Sequence, residues 1–257
     1  MTQAERRIYL IKYLLNEQTE YTQISVPTSA AQQKSLLRGL LNIRPPKPVD
    51  DGFLAVQNEY LQAETAAKGI TSVKELTPIQ PGRYLWQGDI TTLSCDAIVN
   101  AANSQMLGCF CPNHGCIDNA IHTFSGVQLR LACNELMQNQ AHDEPTGNAK
   151  ITPAFNLPCQ KIIHTVGPTV RGRLTEEDCR LLRSCYLSCL ELADRNGLKN
   201  IAFCCISTGE FHFPNRAAAQ IAVDTVTEYQ KKSGIEVIFN VFKDEDYKIY
   251  RELLGKC

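Results

Sequence analysis

Residues Gly108 to Cys116 read GCFCPNHGC, three cysteines and a histidine in one short stretch. Thiolate sulfur and imidazole nitrogen are the ligands that zinc takes in tetrahedral geometry. Cys109, His114 and Cys116 supply three of them. Three protein ligands leave a coordination position for water or substrate, whereas Cys111 as a fourth would close the site and make it structural. The spacing is not that of a zinc finger, and no second Cys/His pair follows at the usual distance. A surface loop of free thiols is the plainer alternative. Asp118 follows Cys116 by two positions and falls in the first turn of a predicted helix. A helix N-terminus and a nearby cation both favour an ionised carboxylate. With an ordinary pKa of about 4, Asp118 is a weak base, suited to orienting water or a sugar hydroxyl, or simply to capping the helix. His122 lies on the same helical face and reads as packing, and His164 reads as a strand residue.

Three further stretches place polar groups just after predicted strands. In QGDIT, the carboxylate of Asp89 and the backbone N–H of Ile90 match a ring that offers an amino donor beside an acceptor, as adenine does; a Gly-Asp turn is the alternative. In IVNAANSQMLG, Asn100 and Asn103 flank small alanines that let a ligand approach the backbone, and their amides both donate and accept, as sugar hydroxyls require. The same asparagines also suit a strand end tied to its own backbone. In CISTGEFHFPNRAAA, Ser207, Thr208, Gly209, Glu210 and Phe211 lead through Pro214 into a helix. Backbone N–H groups there form an anion site into which a diphosphate fits, unless the stretch is only a strand-to-helix connection.

These loops need a scaffold. From Arg83 onward, short β-rich runs (RYLWQGDIT, AIVNAAN, AKITPAF, KIIHTVG, IAFCCIST, EVIFNVF) alternate with helical ones, which predicts an α/β sandwich with ligands gathered at strand ends. One continuous helix is expected over DNAIHTFSGVQLRLACNELM. The first eighty residues differ. RRIYLIKYLL puts Ile8, Ile11 and Leu15 on one face, SAAQQKSLLRGLL is a second helix, and FLAVQNEYLQAETAAKG a third, closed by Gly69. This predicts a helical N-terminal extension over 1–79, docked on a main domain over 80–257.

Composition sets limits. The chain has 257 residues, 44% of them apolar, and a net charge of −1. Nothing in that balance attracts nucleic acid or an anionic membrane, and no apolar run is long enough to span a bilayer. The N-terminus lacks signal-peptide features, so the twelve cysteines are expected as cytoplasmic thiols, core residues or metal ligands rather than disulfides.

GDIT, IVNAAN and STGEFHFP, in this order, resemble the adenine, distal-ribose and diphosphate loops of the macrodomains. IDNAIHTFSG resembles the aspartate-bearing segment of the hydrolytic members. Where ordinary members carry a run of glycines, this chain has CFCPNHGC, an exchange that resembles the zinc-containing subfamily that removes ADP-ribose from proteins. A helical N-terminal extension is also usual there. The resemblance implies a three-layer α/β/α fold with a mixed central sheet. It implies a mono-ADP-ribosylated protein as substrate, ADP-ribose as ligand and Zn²⁺ as cofactor. Asp89 and Ile90 would hold adenine, Asn100 and Asn103 would face the distal ribose, and Ser207 to Phe211 would cradle the diphosphate. Cys109, His114 and Cys116 would bind the metal, and Asn103 and Asp118 would serve catalysis. The alternative is a reader that binds ADP-ribose without turnover and carries a structural zinc. Two residues depart from the commoner pattern: Glu210 stands where an apolar residue is usual, and His212 where glycine is usual. A carboxylate aimed at a diphosphate would repel it, so Glu210 is expected to point away.

Overall fold

A computed structural model of the chain describes residues 1–21 and 23–255. Position 22 of the expected extension and positions 256–257 of the expected domain lie outside the described residues. The chain begins with helices α1 (Gln3–Asn16), α2 (Ala30–Ile43) and α3 (Asp51–Lys68). The short strand β1 (Thr71–Ser72) follows, then β2 (Arg83–Gln87), β3 (Leu93–Ser94) and β4 (Ala97–Ala102). After these come α4 (Ile117–Ser125), α5 (Val127–Gln140), β5 (Ala149–Pro153), β6 (Lys161–Val166), α6 (Glu176–Arg195), β7 (Asn200–Phe203), α7 (Asn215–Tyr229), β8 (Glu236–Val241) and α8 (Asp244–Leu254).

Six strands form one sheet in the order β2-β8-β7-β4-β6-β5. All neighbours are parallel except β5, which runs antiparallel to β6 at the edge. The central strands are covered on both faces and so read as nearly continuous apolar runs. In β4, Ala97, Ile98 and Val99 are fully buried, as are Ile162 and Ile163 of β6. Helices α6, α7 and α8 pack along one face, and α4 and α5 cover the other. Tyr186 of α6 meets Phe203 of β7 with ring centroids 4.8 Å apart. The fold is the expected three-layer α/β/α sandwich with a mixed sheet. Because the strands are parallel, the loops after β2, β4, β6 and β7 open at one end of it.

The helix expected across 118–137 is two helices. Gly126 ends α4 at φ 94°, a backbone region that disfavours side chains, and α5 restarts at once. A Cβ on Gly126 would lie 2.7 Å from the Gln57 amide of α3, so the break is also where the extension comes close.

The three N-terminal helices bury their own apolar core. Leu10, Ile11, Leu14 and Leu15 of α1 meet Leu37, Leu40 and Leu41 of α2 and Phe53, Tyr60 and Leu61 of α3, and Val127 of α5 joins them. The α1 stripe is thus turned slightly from the expected one, and Ile8 is only half-buried. Each fully buried leucine contributes about 1.5–3 kcal/mol relative to exposure. The rest of the docking surface is polar. Gln57 accepts from the Val127 amide at 3.0 Å and donates to Gln128 at 2.7 Å. The buried Arg130 of α5 donates to the carbonyls of Leu41 and Arg44 at the end of α2, and to that of Leu107 at 2.7 Å. Beyond α3, β1 pairs with β3. Among the described residues no helix is long and apolar enough to cross a membrane.

Candidate active site

The loop after β4 carries the Cys/His cluster. Asn103 closes its first turn: its Oδ1 accepts from the amides of Gln105 and Met106 at 3.1 and 3.2 Å, and its Nδ2 donates to the Gly108 carbonyl at 3.2 Å. Gly108 sits at φ 83°, and a Cβ there would lie 2.7 Å from the His122 ring, so only glycine lets the backbone rest on that imidazole. From this footing the chain runs to Cys116, which caps α4; its sulfur accepts from the Asn119 amide at 3.4 Å.

One ligand atom each from Cys109, His114 and Cys116 lies within 4.8 Å of the others. The Cys109 sulfur is 3.6 Å from His114 Nδ1. Cys111 is exposed and stands outside this cluster. Burial, with the neighbouring Cys109 and Asp118, pushes the Cys116 thiol up to about 12; a bound cation reverses that balance by favouring the thiolate. Two thiols and an imidazole converging at this distance are a donor set that fits zinc.

Behind the cluster lies a buried polar group that the sequence shows only in part. Asp118, 5% exposed, accepts from Asn100 Nδ2 at 2.8 Å. Burial pushes its carboxyl up to about 6, while the Asn100 bond and the positive charge of Arg130 pull it down. The ionised form expected from the helix terminus and a nearby cation thus carries a desolvation cost that the Asn100 bond, Arg130 and a bound cation would offset. Asn100 is fully buried, and its amide nitrogen also lies 3.1 Å from His164 Nδ1, directly across the β4–β6 ladder. The far nitrogen of His164 meets Thr152 Oγ1 at 2.9 Å, and burial holds this imidazole down at about 3. His164 is thus more than a strand residue: it backs Asn100, which backs Asp118. Its signal in the sequence is a lone imidazole inside the apolar run KIIHTV. His122 Nε2 stands 3.5 Å from Asp118 Oδ1, and its ring is the floor under Gly108.

After β2, Asp89 Oδ1 accepts from the Thr91 amide and hydroxyl at 3.0 and 2.6 Å, which closes a turn there. Its Oδ2 accepts from Lys68 Nζ of α3 at 2.9 Å. Burial would raise this carboxyl, but the bonds from Thr91 and Lys68 prevail and lower it. Lys68 also lies 3.3 Å from the centre of the Phe124 ring. Ile90 is buried beneath the turn. Next door, Phe242 follows β8 and is 76% exposed, its carbonyl accepting from Gln87 at 3.3 Å. A bare aromatic directly after a buried strand is the signal that picks it out.

The loop after β7 folds on itself. The Phe213 amide donates to the Ser207 carbonyl at 2.9 Å, the His212 amide to the Gly209 carbonyl at 3.0 Å, and the Val170 amide to the Phe211 carbonyl at 2.8 Å. Thr208 Oγ1 donates to the Cys205 carbonyl at 3.0 Å. His212 takes φ 55°, the left-handed conformation that glycine favours. Ser207 also has positive φ, and its hydroxyl is buried without a hydrogen-bond partner among the described residues. The Glu210 carboxylate turns to the loop over 108–116, with Oε1 3.5 Å from His114 Nε2.

Residues 99–222 match the family model described as Macro domain. A protein named protein-ADP-ribose hydrolase, from Treponema medium, is 54% identical over 99% of this chain and its own full length. Among solved structures, an Oceanobacillus iheyensis macrodomain with ADP aligns with a TM-score of 0.64 at 36% identity, covering 70% of this chain and 94% of that one. A Trypanosoma brucei macrodomain in complex with ADP-ribose aligns with a TM-score of 0.66 at 27% identity, covering 89% and 97%. Sheet order, strand-end loops and full-length similarity agree, and the chain belongs to the protein-ADP-ribose hydrolases of the macro domain family.

Proposed function

We propose that this chain is a zinc-dependent hydrolase that frees mono-ADP-ribose from modified protein side chains. The observation that carries the reading is the convergence of Cys109, His114 and Cys116 beside the buried Asp118–Asn100 pair. The name of the Treponema relative and the ADP and ADP-ribose bound by the macrodomain neighbours support it. Cys109, His114 and Cys116 hold the metal, which when bound supplies Lewis-acid chemistry.

The rest follows from the chain's own groups. Asp89 and the Ile90 backbone receive adenine, with the exposed Phe242 ring offering a face to stack on. Ser207 to Phe211 receive the diphosphate, and the unpartnered Ser207 hydroxyl finds its hydrogen bond there. Glu210 serves through its backbone, its carboxylate being turned toward His114. Asn103 faces the distal ribose, and Asn100 holds Asp118 in place. Both contacts of Asp118 use Oδ1, leaving Oδ2 to orient water. The water oxygen bonds to the anomeric carbon as the bond to the side chain breaks, and a water proton ends on the departing side-chain atom. We assign residues 1–79 to the extension and 80–257 to the hydrolase domain, in a cytoplasmic protein without nucleic-acid or membrane partners.

The test is incubation with proteins mono-ADP-ribosylated through several linkages, with and without chelator, following loss of label. Release from at least one linkage that stops with chelator and returns with zinc is the expected result. Equal release in both arms removes the metal from the reaction, and tight ADP-ribose binding without release from any linkage makes the chain a reader.

A further inference from the structure

The metal loop has almost no regular structure of its own. Between Gly108 and Cys116 the backbone forms turns, and Asn113 sits at φ 56° without being glycine. Its sulfurs and imidazole converge all the same. Part of what holds them lies outside the α/β domain.

Arg38 of α2 reaches across to this loop. Its Nη2 donates to the His114 carbonyl at 3.0 Å and to Asn119 Oδ1 at 2.8 Å, and its Nε donates to the same oxygen at 3.2 Å. Asn119 passes the hold on: its Nδ2 donates to the Cys111 carbonyl at 2.9 Å, and its backbone amide donates to the Cys116 sulfur. One guanidinium thus fixes the peptide of one candidate ligand, His114, directly, and the Cys111 peptide between the ligands through the Asn119 side chain. One turn further along α2, Asn42 Oδ1 accepts from the Asn113 amide at 2.9 Å, and its Nδ2 donates to Thr123 at 2.9 Å. Gly39 lies between them. A mid-helix glycine costs about 0.5–1 kcal/mol against alanine, which asks for a packing reason. Here a Cβ would stand 3.3 Å from Asn113 Nδ2 and 3.7 Å from Pro112, so the bare backbone is where the loop rests on the helix.

We propose that Arg38, in the N-terminal extension, is a positioning residue that locks the 108–116 loop in its ligand-presenting shape. The extension is then part of the active site, although none of its residues belongs to the Cys/His cluster. Arginine suits the task because its planar fork serves a carbonyl and an amide oxygen at once, which a lysine ammonium does not reproduce. The metal half of this statement rests on the zinc reading above; the ordering half does not.

The experiment compares the full-length wild type with Arg38→Ala, Arg38→Lys and a control, Arg6→Ala. Arg6 pairs with Glu59 inside the extension, away from the loop. In metal-free protein, hydrogen exchange is followed at the amides of Asn113, His114 and Asn119 and across the sheet. Arg38→Ala is expected to speed exchange at those three amides about tenfold or more while the β4 and β6 amides stay as protected as in wild type. Unchanged loop exchange overturns the proposal, and so does a matching change in Arg6→Ala. Zinc affinity is then measured by competition with a chromophoric chelator. Removal of an outer partner of a metal ligand costs about 10–100-fold, and a loss of that size is expected for Arg38→Ala but not for Arg6→Ala. An affinity within twofold of wild type overturns the metal half. A wild type that takes no zinc sinks the zinc reading itself, and the exchange data still decide whether Arg38 orders the loop. Arg38→Lys is expected between Ala and wild type, and full rescue by lysine refutes the role of the fork.

Discussion

On our reading, the loop over 207–213 and the loop over 108–116 serve one site by opposite means. The first is shaped by its own turns and by its neighbour, through Ser207 with Phe213, Gly209 with His212, and Val170 with Phe211. It binds, on our reading, chiefly through backbone N–H groups, and local turns are enough to aim a backbone. The second binds through side chains. A thiol or imidazole lands in place only if the whole backbone path is fixed, and turns alone do not fix it. That loop therefore leans on Arg38, Gly39 and Asn42 of the extension, on Asn119 and His122 of α4, and on Arg130 of α5. The difference separates two failures: loss of the metal loop costs turnover, and loss of the other costs affinity.

The largest expected effect breaks the metal loop outright. Zinc removal by chelator, or Cys116→Ala, lowers release of ADP-ribose from modified protein by about 10³-fold or more, several kcal/mol of transition-state stabilisation. ADP-ribose affinity by calorimetry falls less than about tenfold, and far-ultraviolet circular dichroism stays native. The domain from β2 onward is large enough to bury a core without metal, unlike small zinc domains that unfold when stripped. Cys111 stands outside the cluster, and Cys111→Ala is expected to bind zinc as the wild type does. A cooperative unfolding on chelation sinks the claim that the metal serves chemistry.

Asp118→Asn comes next. It keeps the shape of the side chain but removes the charge that, on our reading, orients water. The expected loss is about 10²-fold in kcat with Kd for ADP-ribose within about threefold, the pattern of an interaction that counts in the transition state. A loss in Kd that matches the loss in kcat moves Asp118 from the reaction to binding.

Much of this was legible in the residues. The alternation of apolar runs with helical stripes gives the sandwich, because burial on both faces leaves the central strands no other composition. The four strand-end loops announce themselves by asparagine, glycine and cysteine where apolar residues stop. Relations between distant segments are not legible. Nothing near Arg38 says that its partner is the carbonyl of His114, seventy-six positions on. Asn100 reads as a ribose contact, and nothing near it in the sequence says that its amide nitrogen also meets Asp118 and His164, since register across β4 and β6 is set by the sheet. The break at Gly126 was hidden by an unbroken helical stripe, and only the approach of Gln57 gives that glycine its purpose.

The adenine end sharpens the comparison further, since it too touches the extension. Asp89→Ala removes the partner of Lys68 and, on our reading, the acceptor for adenine's amino group. An affinity loss of about 1–3 kcal/mol is expected, with zinc content unchanged. Lys68→Ala takes away only a partly exposed ion pair, and pairs of that kind contribute about 0–1 kcal/mol, so its effect on affinity is smaller. If Lys68→Ala proves the more damaging, the extension holds the adenine turn as firmly as it holds the metal loop, and the contrast between the two ends of the cleft narrows.

The smallest effect is the most specific to the diphosphate loop, because it carries two signs. Ser207 has a buried hydroxyl with no hydrogen-bond partner among the described residues, pressed against Gly167, where even a Cβ would lie 2.1 Å from Oγ. A buried donor without a partner costs about 1–3 kcal/mol. Ser207→Ala removes that cost, so thermal stability without ligand stays level or rises by up to about 1 kcal/mol. The positive φ at this position is kept by alanine at the same strain as serine, so it does not mask the gain. With ADP-ribose present the hydroxyl is satisfied, and its loss weakens binding by about 1 kcal/mol, a factor near five. Melting curves with and without saturating ADP-ribose read both terms on one sample, and the ligand-induced shift is expected to shrink. Zinc affinity should not move, since the loop over 207–213 meets the metal loop only through Glu210 and His114 in the contacts described above. A stability loss without ligand means that the hydroxyl already serves the fold, and an unchanged ligand shift removes Ser207 from the diphosphate site.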